Sequence, residues 1–191
     1  QLGCPRKISD NLELSFNLIL ENDEIKNSAV RFNGVFKLTY KSGDKSSYLL
    51  LRPRLFKDSD TLSYRSDMLT YTHSMNVGTV REKMSKLPLY ISKYVDQTIE
   101  NADAIIDIKN PSEVKNFIAE KVRRARDEHF IKHKGEVLAK LATLQVDSIF
   151  DLFEALRNVE ELFGDDIMSK DYWRTKLHKL LLYRGKDNGG K

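Results

Sequence analysis

The chain predicts an α+β fold, with an N-terminal antiparallel β-meander of about four strands followed by a C-terminal bundle of about four helices. Three observations predict it. Up to about Asn76 the apolar residues alternate, as strands do. From Thr79 onward they recur at the spacing of amphipathic helices. The alternating runs are joined by short polar turns, which favour pairing between sequence neighbours. Residues 1–77 are therefore expected to form a sheet layer and 78–185 a helical layer on a shared core, with 186–191 a disordered tail.

The strands are read in order. Leu12, Leu14, Phe16, Leu18 and Leu20 alternate with Glu13, Ser15, Asn17 and Ile19. Glu21 to Ser28 is a polar connection, and Val30, Phe32, Gly34, Phe36, Leu38 and Tyr40 make the next run. Ser42-Gly43-Asp44 is a hairpin signal leading into Tyr48 to Leu51, with Pro53 marking an edge or bulge. Thr61 to Met75 is expected to be a fourth strand.

The helices have start signals. Thr79 and Glu82 have capping-box spacing, and Pro88 should kink or divide the helix that follows. Asn110-Pro111-Ser112-Glu113 opens a second, which runs on to Leu144 with Gly135 as a bend. Ser148 caps a third that Gly164 ends, and Ser169 is expected to cap a fourth around Trp173 and Leu177.

Of 191 residues, 40% are hydrophobic and 31% charged, so the chain can bury a core and is not globally disordered. The 32 Lys and Arg against 28 Asp and Glu give a net charge of +4, which permits an anionic partner without requiring one. The single cysteine, Cys4, offers no internal disulfide, so a reducing compartment is the default. No signal peptide and no run long enough to span a membrane is visible, which points to the cytoplasm and no membrane partner.

The densest basic cluster is Lys121, Arg123, Arg124 and Arg126, followed by Lys132, His133 and Lys134. On one helix Arg123 and Arg126 would share a face and could lie along a phosphate backbone. The alternative is a solvated face, with Asp127 and Glu128 close enough to neutralise part of it. A second group is Lys170, Arg174, Lys176, Lys179, Arg184 and Lys186, with Lys170 and Arg174 four apart and the last three favoured by a helix C-terminus in any case. A third, Arg52, Arg54 and Lys57, stands among Tyr48, Phe56 and Tyr64, an interleaving used to bind single strands and equally typical of strand core.

Metal and catalytic signals are weaker. His129 and His133 lie four apart, but Phe130 stands where a zinc protease needs Glu, and no third ligand is evident. Glu24-Ile25-Lys26 and Asp107-Ile108-Lys109 match a short element of Mg²⁺-dependent nucleases, without its sequence context. No glycine-flanked nucleophile elbow is present. The reading assigns no catalytic residue, no metal and no cofactor, and favours a non-enzyme over an enzyme.

Glu21-Asn22-Asp23-Glu24-Ile25 with Ser28-Ala29, then Tyr71 to Val77 around His73, then Ser148 to Phe153, occur in an order that resembles a family of uncharacterised phage- and plasmid-borne proteins. The family's Cys-Asn-Gly element after the second strand is replaced here by Tyr40-Lys41-Ser42-Gly43. The resemblance implies a mobile-element setting and no particular chemistry. The expected function is a non-enzymatic nucleic-acid-binding protein of phage or plasmid origin. It would bind phosphates through Arg123, Arg124, Arg126, Lys132, Arg52, Arg54, Lys170 and Arg174, in the host cytoplasm or in a virion. The alternative is a structural or protein-interaction module, a virion component or an inhibitor of a host protein; a Mg²⁺-dependent nuclease ranks below both. Neither DNA or RNA preference nor oligomeric state is legible.

Overall fold

Two long strands, β2 (Leu12–Asp23) and β3 (Ala29–Ser42), form the antiparallel hairpin around which the rest assembles. The computed structural model describes residues 5–23, 29–53, 69–72 and 76–184, without the side chains of 19–23, 29–33, 69–72, Tyr90 and His129. The strand β4 (Lys45–Leu51) pairs with β3 through a tight turn in which Gly43 takes a φ of 59°, a conformation open to glycine at little cost. A two-residue strand, β1 (Arg6–Lys7), pairs with Glu13 and Leu14 of β2. The order β1-β2-β3-β4 is a meander.

Register explains the core. Leu14, Leu38 and Leu49 stand side by side across three strands, as do Phe16, Phe36 and Leu51. All six are buried, and the Phe16 and Phe36 rings meet at 5.2 Å. The helices cover this face.

The sheet departs from expectation in three places. β2 runs through Glu21 to Asp23, which were read as part of the polar connection. The short β1 had no period long enough to be seen. The strand expected within 61–75 is seen as β5 (Leu69–Thr72), and its partner is the first half of β3, beside Ala29–Phe32, instead of β4. One edge of β3 therefore carries β4 and β5 end to end.

The helix α1 (Val77–Glu100) is 24 residues long, about 36 Å at the usual rise per residue. Its N-cap is Asn76, whose side chain accepts the Gly78 N–H at 2.7 Å, in place of the expected Thr79–Glu82 box. The helix is continuous through Pro88. After the short α2 (Asp103–Ile106) comes α3 (Pro111–Arg123), capped by Asn110 with Pro111 at the first position and Glu113 completing the motif.

The expected long second helix is three: α3, α4 (Glu128–Ile131) and α5 (Lys134–Thr143). The breaks fall at Arg124–Asp127 and at Lys132–His133, so Gly135 lies inside α5 instead of bending it. Ser148 and Asp151 form a reciprocal capping box on α6 (Ile149–Glu161), and Gly164 follows with φ 49°. The last helix, α7 (Ile167–Leu182), is capped by Asp166, with Ser169 three residues on donating its hydroxyl back to Asp166 at 2.8 Å.

One buried cluster runs from Leu12 to Leu182, joining Leu38 and Leu51 of the sheet to Ile118, Leu152, Phe153, Trp173 and Leu177. α6 and α7 pack on β3 and β4, whereas α1 meets the sheet chiefly at β5. The second half of α1 is anchored by Tyr94, 2% exposed, whereas Val77 at its start and Leu89 at its middle are 68% and 69% exposed. Among the described residues no helix is long and apolar enough to cross a membrane.

Candidate functional sites: a basic cleft and an apolar groove

The basic residues singled out by sequence fall into two physical classes. Arg52 and Arg174 are structural. Arg52 follows β4, is 6% exposed, and pairs its guanidinium with Asp171 of α7. Its backbone N–H donates to the Arg174 carbonyl at 3.2 Å. Arg174 in turn donates through Nε and Nη2 to one oxygen of Glu160 on α6, at 3.0 and 2.6 Å. These pairs fasten the end of β4 to α7 and α7 to α6. Replacing Asp171 by Ala leaves the Arg52 charge desolvated. We expect a loss of about 2 kcal/mol in a denaturant titration, below the 3–5 typical of a fully buried pair, because Asp171 keeps part of its solvent contact. An unchanged midpoint would show that the pair contributes nothing.

The cations at the end of α3 and on either side of α4 lie outside. Arg123 and Arg124 share a single carboxylate, Glu120, with Arg124 at 2.8 Å. Arg126 is not on their helix. α3 ends at Arg123, so the expected face shared by Arg123 and Arg126 does not form, and Arg126 sits exposed in the following connection. Lys132 pairs with Asp166 at 2.7 Å, and the His133 ring nitrogen lies 3.1 Å from the same oxygen. Lys132 beside it, with the Ser169 hydroxyl and N–H, holds the Asp166 carboxyl well below the usual range. Lys170 is half-buried early in α7. Arg54 lies outside the described residues, as do Lys57, Phe56 and Tyr64; Tyr48 is partly exposed, with Lys37 over its ring at 4.5 Å.

The two helical basic groups nonetheless meet. Lys121 and Val122 of α3 and Tyr172, Trp173 and Lys176 of α7 border one small apolar crevice over Phe130, of about 10 Å³, with the two lysines on its flanks. Lys121 Nζ lies 5.3 Å from the Phe117 ring centre and Lys176 Nζ 5.2 Å from that of Tyr172. Each ammonium is held over an aromatic face at the surface.

The second site was missed by sequence. Between α1 and the face of β2 opens an apolar groove of about 890 Å³. Leu14, Phe16 and Leu18 line one wall, Met84, Leu87, Ile91 and Val95 the other, and Pro5 and Arg6 the rim. Both walls carry visible periodicity, but period alone reads such residues as closed core. Only the placement of α1, attached chiefly at β5, leaves the walls apart.

No group of three His, Cys, Asp or Glu able to hold a metal occurs among the described residues. The His129 side chain and the Glu24-Ile25-Lys26 element lie outside them, and Ile108 of the other such element is buried in the turn before α3. No protein-family model, no curated protein and no solved structure matches the chain.

Proposed function

We propose that the protein is a non-enzymatic binding module whose α3–α7 face takes a polyanion, nucleic acid first among them. The observation that supports this reading is that Lys121 and Lys176 flank one small apolar crevice between α3 and α7, each with its ammonium over an aromatic ring. Arg123 and Arg124 add a surplus beside it, since two guanidiniums share one carboxylate. Exposed ion pairs of this kind are weak and can be exchanged for phosphate at little cost. The ion pairs of Arg52 and Arg174 are more deeply set, so the proposal does not draw on these two cations. A host cytoplasm and a phage or plasmid setting belong to the proposal and rest on the resemblance of the sequence segments alone.

The test is fluorescence anisotropy with labelled mixed-sequence single-stranded and duplex DNA and RNA. Affinity should fall steeply with salt, as each phosphate contact releases close to one counterion. Reversing Lys121 and Lys176 together to Glu should weaken binding by about tenfold or more while leaving the melting temperature unchanged, because both side chains are exposed. Undetectable binding at low salt, or binding indifferent to the double variant, removes the cleft from consideration.

The apolar groove supports a second reading, a protein-interaction module. Its walls present side chains from two elements and its size is that of a ligand-binding cleft.

A further inference from the structure

The aromatic rings at the α3–α7 face are already engaged. Lys121 Nζ sits 5.3 Å from the Phe117 ring centre. Tyr172 carries Lys176 Nζ at 5.2 Å and meets the Phe130 ring at 4.8 Å. Phe117 and Tyr172 are half-buried against the core, and Phe130 and Trp173 are buried. The crevice that the two lysines flank, about 10 Å³, has room for about one water and none for a nucleobase.

Positive side chains extend along both helices instead of converging on a point. Arg124 follows Lys121 by three residues at the end of α3, and Lys179 follows Lys176 by three on α7. All four are exposed. Such an array suits a chain of phosphates better than a single phosphate group. We propose that the α3–α7 face reads the backbone of a nucleic-acid duplex, taking its phosphates and discriminating neither base nor sequence. The inference rests on the polyanion-binding reading above and names its ligand class.

Phosphate contacts fix a protein on nucleic acid without reading sequence, whereas base contacts carry the sequence. Single strands are commonly held by stacking their bases on aromatic side chains. A base seeking the Phe117 or Tyr172 ring would have to displace the ammonium above it, and with it the charge that holds the neighbouring phosphate. A duplex keeps its bases stacked on one another and presents one charge per about 1.7 Å of its axis, twice the density of one strand. Arg123 and Arg124, which share Glu120, can turn to such a backbone from any orientation. Reading base edges would need a helix that projects into a groove. The helix α3 is instead seated against α5 and α6 and bordered by α7.

The test is fluorescence anisotropy on the full chain at low salt, with labelled probes of about 20 nucleotides or base pairs. The probes are a pair of DNA duplexes of scrambled sequence and equal composition, an RNA duplex, an oligothymidine strand, and an abasic deoxyribose-phosphate strand. The paired DNA duplexes should bind within about twofold of each other, and about tenfold or more tighter than oligothymidine. The abasic strand should match oligothymidine within about twofold, since the bases add nothing. The tighter of the DNA and RNA duplexes identifies which backbone the face fits. Three results would each overturn backbone reading and leave the polyanion site standing: oligothymidine binding as tightly as the duplexes, an abasic strand about tenfold weaker than oligothymidine, or discrimination between the scrambled duplexes. Binding by none of the probes removes the site itself, and this inference with it.

Discussion

Replacing Trp173 by Ala should cost about 3–5 kcal/mol and lower the melting temperature by roughly 6–20 °C for a chain of this size. The side chain is wholly buried. Its ring stacks on Phe130 at 6.3 Å, meets Phe163 edge-on at 6.2 Å, and donates Nε1–H to the Leu156 carbonyl at 3.3 Å. Removing it opens a cavity where α4, α6 and α7 meet and leaves that carbonyl without its indole donor. Trp173→Phe keeps most of the contact and should cost less. A melting temperature unmoved by the Ala change would mean that α7 is not part of the cooperative core.

The second large effect is an acid limb of stability due to His178. The imidazole is buried on α7, stacked on Phe36 at 6.3 Å and tilted against Tyr183 at 5.6 Å, and burial pushes its pKa down to about 3. The folded state therefore keeps it neutral, while the unfolded state protonates it near the ordinary value of about 6.5. Between those two values the unfolded chain binds the extra proton, so stability falls as pH falls, by about 1.4 kcal/mol per unit. Depressed carboxyls such as Asp166 and Asp151 act in the same direction, but only as pH drops below the ordinary carboxylate range. The interval from about pH 6.5 to 4.5 thus separates His178 from the carboxyls, and the His178→Phe comparison assigns its share. Urea titrations across it should show a loss of about 2 kcal/mol in the native chain and a much flatter profile in His178→Phe. Equal slopes would assign the acid limb elsewhere.

The elements that could be read from sequence are those whose determinants are local. Alternation from Leu12 to Leu18 fixes a strand and its inward face. Asn110-Pro111 with Glu113, Ser148, and the left-handed Gly43 and Gly164 mark boundaries through bonds spanning a few residues. What was illegible depends on distant partners. β5 pairs with β3 across some forty residues instead of with its neighbour, and no local pattern encodes that choice. The break after Arg123 separates Arg126 from the ridge although the basic run is continuous in sequence. Glu120, three and four residues before Arg123 and Arg124, was within reach of helix spacing and was overlooked in favour of Asp127 and Glu128. The partners of Arg52 and Arg174 were not, since Arg52 and Asp171 lie 119 residues apart.

That last pairing bears on how the layers recognise one another. Leucines alone tolerate sliding: a helix displaced by one turn over an aliphatic sheet still buries similar area. With Arg52 matched to Asp171, and Arg174 to Glu160, a slip of α7 along the sheet would strand ions of both signs in a half-dry seam. The penalty for each would be several kcal/mol. The two guanidiniums thereby act as dowels: they add little to the strength of the joint and allow it a single position.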